Sequence, residues 1–162
     1  MCLVSAVEIH HEEEIKCYKF LIHDPKNSVL SSPYFSTTCW EFGKTKTAQP
    51  FNKKEKPFID SVDEHGQIIR YVHGLAFHTY KNLEDAKKAA KAFSDYYDVG
   101  CGAFKDYVIV VVECTIPRNS TFVYEGYAEG IGKTNHEGYA SEKLTVDKFV
   151  YVVCPSSKPK IF

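Results

Sequence analysis

The chain has one tryptophan, one methionine, no Cys-x-x-Cys pair, no long apolar run and almost no net charge. Each shortage removes a class of protein. The six cysteines (Cys2, Cys17, Cys39, Cys101, Cys114, Cys154) are widely scattered, which supports neither a zinc knuckle nor a thioredoxin-type redox pair. The longest aliphatic run, Val108 to Val112, is far too short to cross a bilayer. Glu12-Glu13-Glu14 stands where a secretory leader has its apolar core. A net charge of -1 and a pI near 6.6 lack the basic face of a nucleic-acid backbone binder. The expectation is a cytoplasmic protein with no membrane or nucleic-acid polymer as partner and no cofactor signature. A small anionic ligand stays open, because a pocket needs only a few local cations, and so does a homo-oligomer.

What is present fits one globular domain over residues 1–162, long enough to bury roughly 70% of the surface of its unfolded chain. Hydrophobic residues make up 44% and aromatics 14%, with 11 Tyr and 11 Phe. Tyrosine offers rigid flat area with a polar tip, suited to packing and to stacking on planar ligands. Period-two or apolar patterning predicts strands at Ile15 to Ile22, Ile68 to Val72, Tyr107 to Cys114, Thr121 to Tyr124 and Lys148 to Cys154, with a short one ending at Gly43. The polar stretch 45–66 reads as a mobile loop and the tail from Pro155 as loose. Asn82 as a cap, Glu84 and Asp85 in the first turn, and Leu83, Ala86, Ala90 and Phe93 on one face predict a helix over about 83–93. One helix among many strands gives the expected class: α+β, a mostly antiparallel curved sheet with one principal helix.

Several constellations invite chemistry. Glu125-Gly126-Tyr127-Ala128 recurs as Glu137-Gly138-Tyr139-Ala140, and two arms of one glycine-rich loop would present two tyrosines and two carboxylates. The bland account is chance plus glycine-driven turns. Gly132-Lys133-Thr134 fails as a P-loop, because five residues, where the motif has four, separate Gly126 from Gly132. Cys2 would become an N-terminal nucleophile if Met1 were removed, but an inert thiol is the commoner case. His10 and His11, adjacent on a strand, point opposite ways and chelate poorly. His73 and His78 flank the approach to the helix, where they would meet a phosphate together with the helix amides, or else serve as hydrogen-bonded strand-end residues.

Met1-Cys2-Leu3, Cys17-Tyr18-Lys19, Ser32-Pro33-Tyr34, Trp40-x-x-Gly43-Lys44, Gly74-x-x-Phe77-His78, Asp85-Ala86, Tyr124-Glu125-Gly126 and Tyr139-Ala140-Ser141 together resemble a family of small uncharacterised proteins from phages and gut bacteria. No activity comes with that resemblance. The strand through Phe77 and Thr79, followed by Asp85-Ala86 and an alanine-rich helix, is remotely similar to the middle of the ADP-ribosyltransferase fold. That resemblance implies a catalytic glutamate, for which Glu113, Glu125 and Glu142 all qualify. Tyr18 or Lys19 stands where the fold carries a His or Arg, a departure that favours a pocket which binds without turnover.

The leading expectation is a non-enzymatic, sequestering binder of a small nucleotide-like ligand, in the phage setting a counter-defence protein. Its expected ligand-binding residues are Tyr18, Lys19, Tyr34, Trp40, Lys44, His73, His78 and Tyr139, with the helix start near Asn82 close by. The alternatives are an ADP-ribosyltransferase-like or nucleotide-hydrolysing enzyme using Glu125 or Glu142, and a module that blocks a partner protein by surface contact.

Overall fold

A computed structural model describes residues 3–33, 38–48, 56–72, 76–128 and 136–154. The strands are β1 (Leu3–Glu8), β2 (Ile15–Asp24), β3 (Val29–Ser31), β4 (Cys39–Trp40), β5 (Thr45–Thr47), β6 (Phe58–Val62), β7 (Ile68–Val72), β8 (Phe77–Tyr80), β9 (Val108–Ile116), β10 (Val123–Ala128), β11 (His136–Ser141) and β12 (Lys143–Val152). One helix, α1 (Leu83–Tyr96), and a 3-10 turn at Gly102–Phe104 complete the described elements. The strands form one antiparallel sheet in the order β5-β12-β9-β2-β8-β11-β10-β1-β7-β6, with β3 and β4 branching from β2. No helix among the described residues is long and apolar enough to cross a membrane.

The expected α+β class is therefore corrected: 53% of the structure is strand, in a single curved sheet of twelve strands that carries one helix. Three segments account for the difference. Thr45–Thr47 and Phe58–Val62, inside the stretch read as a loop, are strands paired with β12 and β7. Glu125–Ala128 and His136–Gly138, the two ends of the stretch read as glycine-rich, lie in the facing strands β10 and β11, and residues 129–135 lie outside the described residues. Residues 49–55 and the tail from Pro155 lie outside the described residues. Trp40 closes β4, and Gly43 sits in the turn that follows.

The centre of the sheet explains the apolar run in β9. Cys17 and Leu21 share one face with Val110, Val112, Cys114, Trp40 and Tyr139. Phe20 shares the other with Ile109, Val111 and the helix residues Ala86, Ala90 and Phe93. Burial on both sides removes the usual period-two alternation. Asn82 caps α1, its side chain accepting the Asp85 N–H at 2.9 Å. The two alanines let the helix lie close to the sheet, and truncating Phe93 to Ala would cost about 3–5 kcal/mol. α1 runs one turn past the predicted Phe93, its exposed end carrying the Lys91–Asp95 pair.

Gly126 and Gly138 face each other across β10 and β11. A Cβ on Gly126 would stand 2.6 Å from the Val4 carbonyl oxygen, and one on Gly138 2.5 Å from the Thr79 carbonyl oxygen. The first contact comes from an irregularity in β1, where the register shifts between Val4 and Val7 and Ser5 takes a φ of 54°. These glycines are therefore close-approach positions in strands and do not mark turns. Gly138→Ala is expected to lower stability by about 1–3 kcal/mol or more, since the obstacle is backbone. An unchanged urea midpoint would show that β8 and β11 can separate freely.

Candidate functional site

Alternation along each strand and register between strands build one polar row across the sheet. Tyr139 is opposite both Thr79 and Glu125. Tyr18 is opposite Tyr80, which sets the next pair, Lys19 and Thr79, side by side. Lys19, Thr79, Tyr139 and Glu125 thus come from four neighbouring strands, β2, β8, β11 and β10, and lie on the face that holds Cys17, Leu21 and Trp40. Lys19 and Tyr139 are each 8% exposed and Thr79 is fully buried.

Lys19 is the anomaly of this face. Its Nζ donates to the His78 carbonyl at 2.8 Å, and no ion pair joins it to a carboxylate among the described residues. Burial pulls its pKa from 10.5 down to about 8, against the smaller opposing effect of Cys114 and Cys17. The Thr79 hydroxyl makes no hydrogen bond of good geometry and lies beside the Cys17 thiol. Burial pushes Cys17 up to about 12 and Cys114, directly opposite it, well above the usual thiol range, so both stay neutral and unreactive. Burial also raises the Tyr139 phenol, with Lys81 working against it.

The row becomes solvent-exposed at Glu125. Lys81 Nζ lies 2.6 Å from Glu125 Oε1 and 3.9 Å from Glu137 Oε2. The hydrogen bond to Glu125 raises the Lys81 pKa. Tyr127 stands opposite Glu137, so the repeated Glu-Gly-Tyr-Ala segments are the two arms of one hairpin, with both tyrosines and both carboxylates on one face. They are strands, where a loop was expected.

The expected site residues divide. Lys19, Trp40 and Tyr139 share the face; Trp40 meets Phe77 edge-on at 5.0 Å and donates from Nε1 to Ser32 Oγ at 2.9 Å. Tyr18 and His78 lie on the opposite face, Tyr18 packed with the helix-side cluster and His78 buried. Lys44 is exposed at the turn before β5 and pairs with Glu41. Tyr34 and His73 lie outside the described residues, as do Cys2 and Lys133. Asn82 and the helix start belong to the far face, where His136 Nδ1 meets Asp85 Oδ1 at 3.2 Å. Of the three carboxylates considered, Glu113 is bound by Lys16 at 2.8 Å and Glu142 by the Thr121 hydroxyl at 2.6 Å; Glu125 alone borders the row. Thr79 and Lys81 were missed, although Phe77, Thr79 and Lys81 alternate in the period of a strand. Among the described residues no three His, Cys, Asp or Glu side chains gather closely enough to hold a metal.

Compared with protein-family models, curated proteins and solved structures, the chain finds no match in any of the three. Function has to be argued from the side chains themselves.

Lys19 makes a direct prediction. Its folded pKa of about 8 lies below the 10.5 of an unperturbed lysine, so the unfolded chain binds more protons between these two pH values. Burying the ammonium therefore costs stability in full below pH 8, and the cost is relieved as pH rises towards 10.5. Lys19→Met is expected to be more stable than the parent by about 3 kcal/mol at pH 7. That advantage should shrink across the same alkaline window. Comparing the two proteins at each pH removes the opposite trend contributed by Cys17 and Cys114. Equal stabilities at pH 7 would mean that Lys19 is solvated.

Proposed function

We propose that the protein is a non-enzymatic binder of a small nucleotide-like ligand, held along the Lys19–Thr79–Tyr139–Glu125 row. The observation that carries this reading is the buried Lys19 ammonium, compensated by a single carbonyl. Buried charges are ordinarily paired and their donors satisfied. A phosphate would supply both, with the Thr79 hydroxyl as a further donor. Tyr139 lies beside them with its ring largely buried, and Glu125, partly exposed, accepts hydrogen bonds from ribose hydroxyls or an exocyclic amine. The ligand enters from the exposed end at Glu125 and Lys81. A cytoplasmic setting, and a counter-defence role in which a phage protein sequesters a host signal, rest on the sequence resemblance to phage proteins.

Calorimetry with AMP, ADP-ribose and cyclic nucleotides tests the proposal. At least one should bind at one per chain, and Lys19→Met should weaken it by about a hundredfold. Affinity should also fall as pH passes the Lys19 pKa of about 8. Lys44→Ala, at the exposed turn before β5 where Lys44 pairs with Glu41, should bind as the parent does. Uniform lack of binding across the panel would sink this reading.

Glu125 favours a second reading, an ADP-ribosyltransferase-like or nucleotide-hydrolysing enzyme. It is the carboxylate next to Tyr139, oriented by Lys81. Product masses after incubation with NAD or cyclic nucleotides separate the two readings. Turnover that Glu125→Gln abolishes would replace the first by the second.

A further inference from the structure

A line of rings climbs out of the helix-side core. Phe20 meets Phe93 at 5.3 Å, Phe93 meets Tyr97 at 4.6 Å, and Tyr97 meets Tyr96 edge-on at 4.8 Å. Phe20 and Phe93 are buried, but Tyr97 is 45% and Tyr96 67% exposed. Phe104 and Tyr107, in the connection from α1 to β9, are exposed as well and meet each other at 6.2 Å. This end of the helix is also short of positive charge. Its last turn holds no basic residue, although the helix dipole favours a cation there. Between residues 95 and 107 three aspartates, Asp95, Asp98 and Asp106, stand against one lysine, Lys105. Lys91 reaches Asp95 from one turn back, at 3.1 Å.

The chain beyond Cys154 is delivered to this surface. β12 runs antiparallel to β9 with Val152 opposite Val110, and the Val153 N–H donates to the Ile109 carbonyl at 2.9 Å. Continued in the same direction, the chain heads past Val108 towards Tyr107. Val153 itself is buried in the cluster that holds Phe93 and Val99. We infer that residues 158–162, Lys-Pro-Lys-Ile-Phe, dock on Tyr96 and Tyr97 of their own chain. The stretch from Pro155 to Phe162 reaches about 26 Å when extended, more than the ~21 Å length of α1. Pro159 disfavours the helical conformation at Lys158, so the chain is extended there. An extended chain sets Lys158 and Lys160 on one side and Pro159 and Ile161 on the other. The apolar side covers the two tyrosine rings. The lysines supply the cations that the helix end and its aspartates attract, and residues 155–162 contain no acid to oppose them. Pro155 and Pro159 also restrict the free segment, which lowers the cost of ordering it.

Methyl NMR of the full chain, with isoleucine labelled, tests this. The Ile161 methyls should lie upfield of an exposed isoleucine and show cross-relaxation to the rings of Tyr96 or Tyr97. Lys158→Glu with Lys160→Glu sets acid against acid and should move the signals back towards the exposed position. Trypsin reads the same contact independently, through the loss of Ile161 and Phe162 followed by mass. Tyr96→Ser, at an exposed position and folded by circular dichroism, should be cut after Lys160 severalfold faster than the parent, because cleavage tracks the undocked fraction. Ile161 methyls at the position of an exposed residue in the parent overturn the inference. So does an upfield shift that survives the double lysine exchange, or a cleavage rate that Tyr96→Ser leaves unmoved. Cross-relaxation found only between differently labelled copies in a mixture gives the surface to a second chain and overturns it as well.

Discussion

The pairing of β2 with β9 is the constraint on which the rest of the structure depends. It runs without interruption from Ile15 opposite Ile116 to His23 opposite Val108. Both of its faces are buried, one under the strands that carry Trp40 and Tyr139, the other under α1. Every other strand is reached through it: β12 and β5 on one side, and β8, β11, β10, β1, β7 and β6 on the other. Towards its middle, where Lys19 lies opposite Val112, a polar group is closed in on both sides, whereas Lys16 near the end of the pair reaches solvent. Lys19, of a residue type almost never fully buried without a partner, sits in the buried middle of β2.

The cost of that placement and its proposed use have one physical origin. Burial in this face of the core depresses the pKa of the ammonium. The same surroundings would strengthen its attraction for an anion. Stability given up at one residue, in a core otherwise packed with apolar groups, is a recurrent mark of a functional position. The outer pair of Lys81 with Glu125 differs in kind. It is partly exposed, and such pairs contribute little to stability. Its effect is to hold the carboxylate in place beside Tyr139.

The elements legible in the sequence were those whose signals are local. Asn82, Glu84 and Asp85 announce α1, and the aliphatic run of β9 announces a buried strand. β5 was hidden because Thr45-Lys46-Thr47 is polar and its partner β12 lies far along the chain; β6 was hidden because it is short and the Asp60-Ser61 pair breaks its apolar pattern between Ile59 and Val62. β10 and β11 were hidden by Gly126 and Gly138, whose strand role depends on carbonyls from β1 and β8. In the site, Lys19, Trp40 and Tyr139 were chosen for their chemistry and do share a face. Tyr18 and Lys19 are adjacent on a strand and could never do so. Carrying period two through Phe77, Thr79 and Lys81 would have replaced His78 with the two residues that border the row.

The long reach of the central pair also governs how the chain is made. Cys17 and Cys114, opposite each other, are 97 residues apart in sequence. During synthesis β2 emerges early and then waits, apolar on both sides, until β9 has left the ribosome. Contacts of such separation make folding slow, and they leave an unpaired, aggregation-prone strand in the nascent chain throughout that interval. The yield of folded protein in a cell is therefore governed by the pace of translation and by chaperone supply as well as by the stability of the finished sheet.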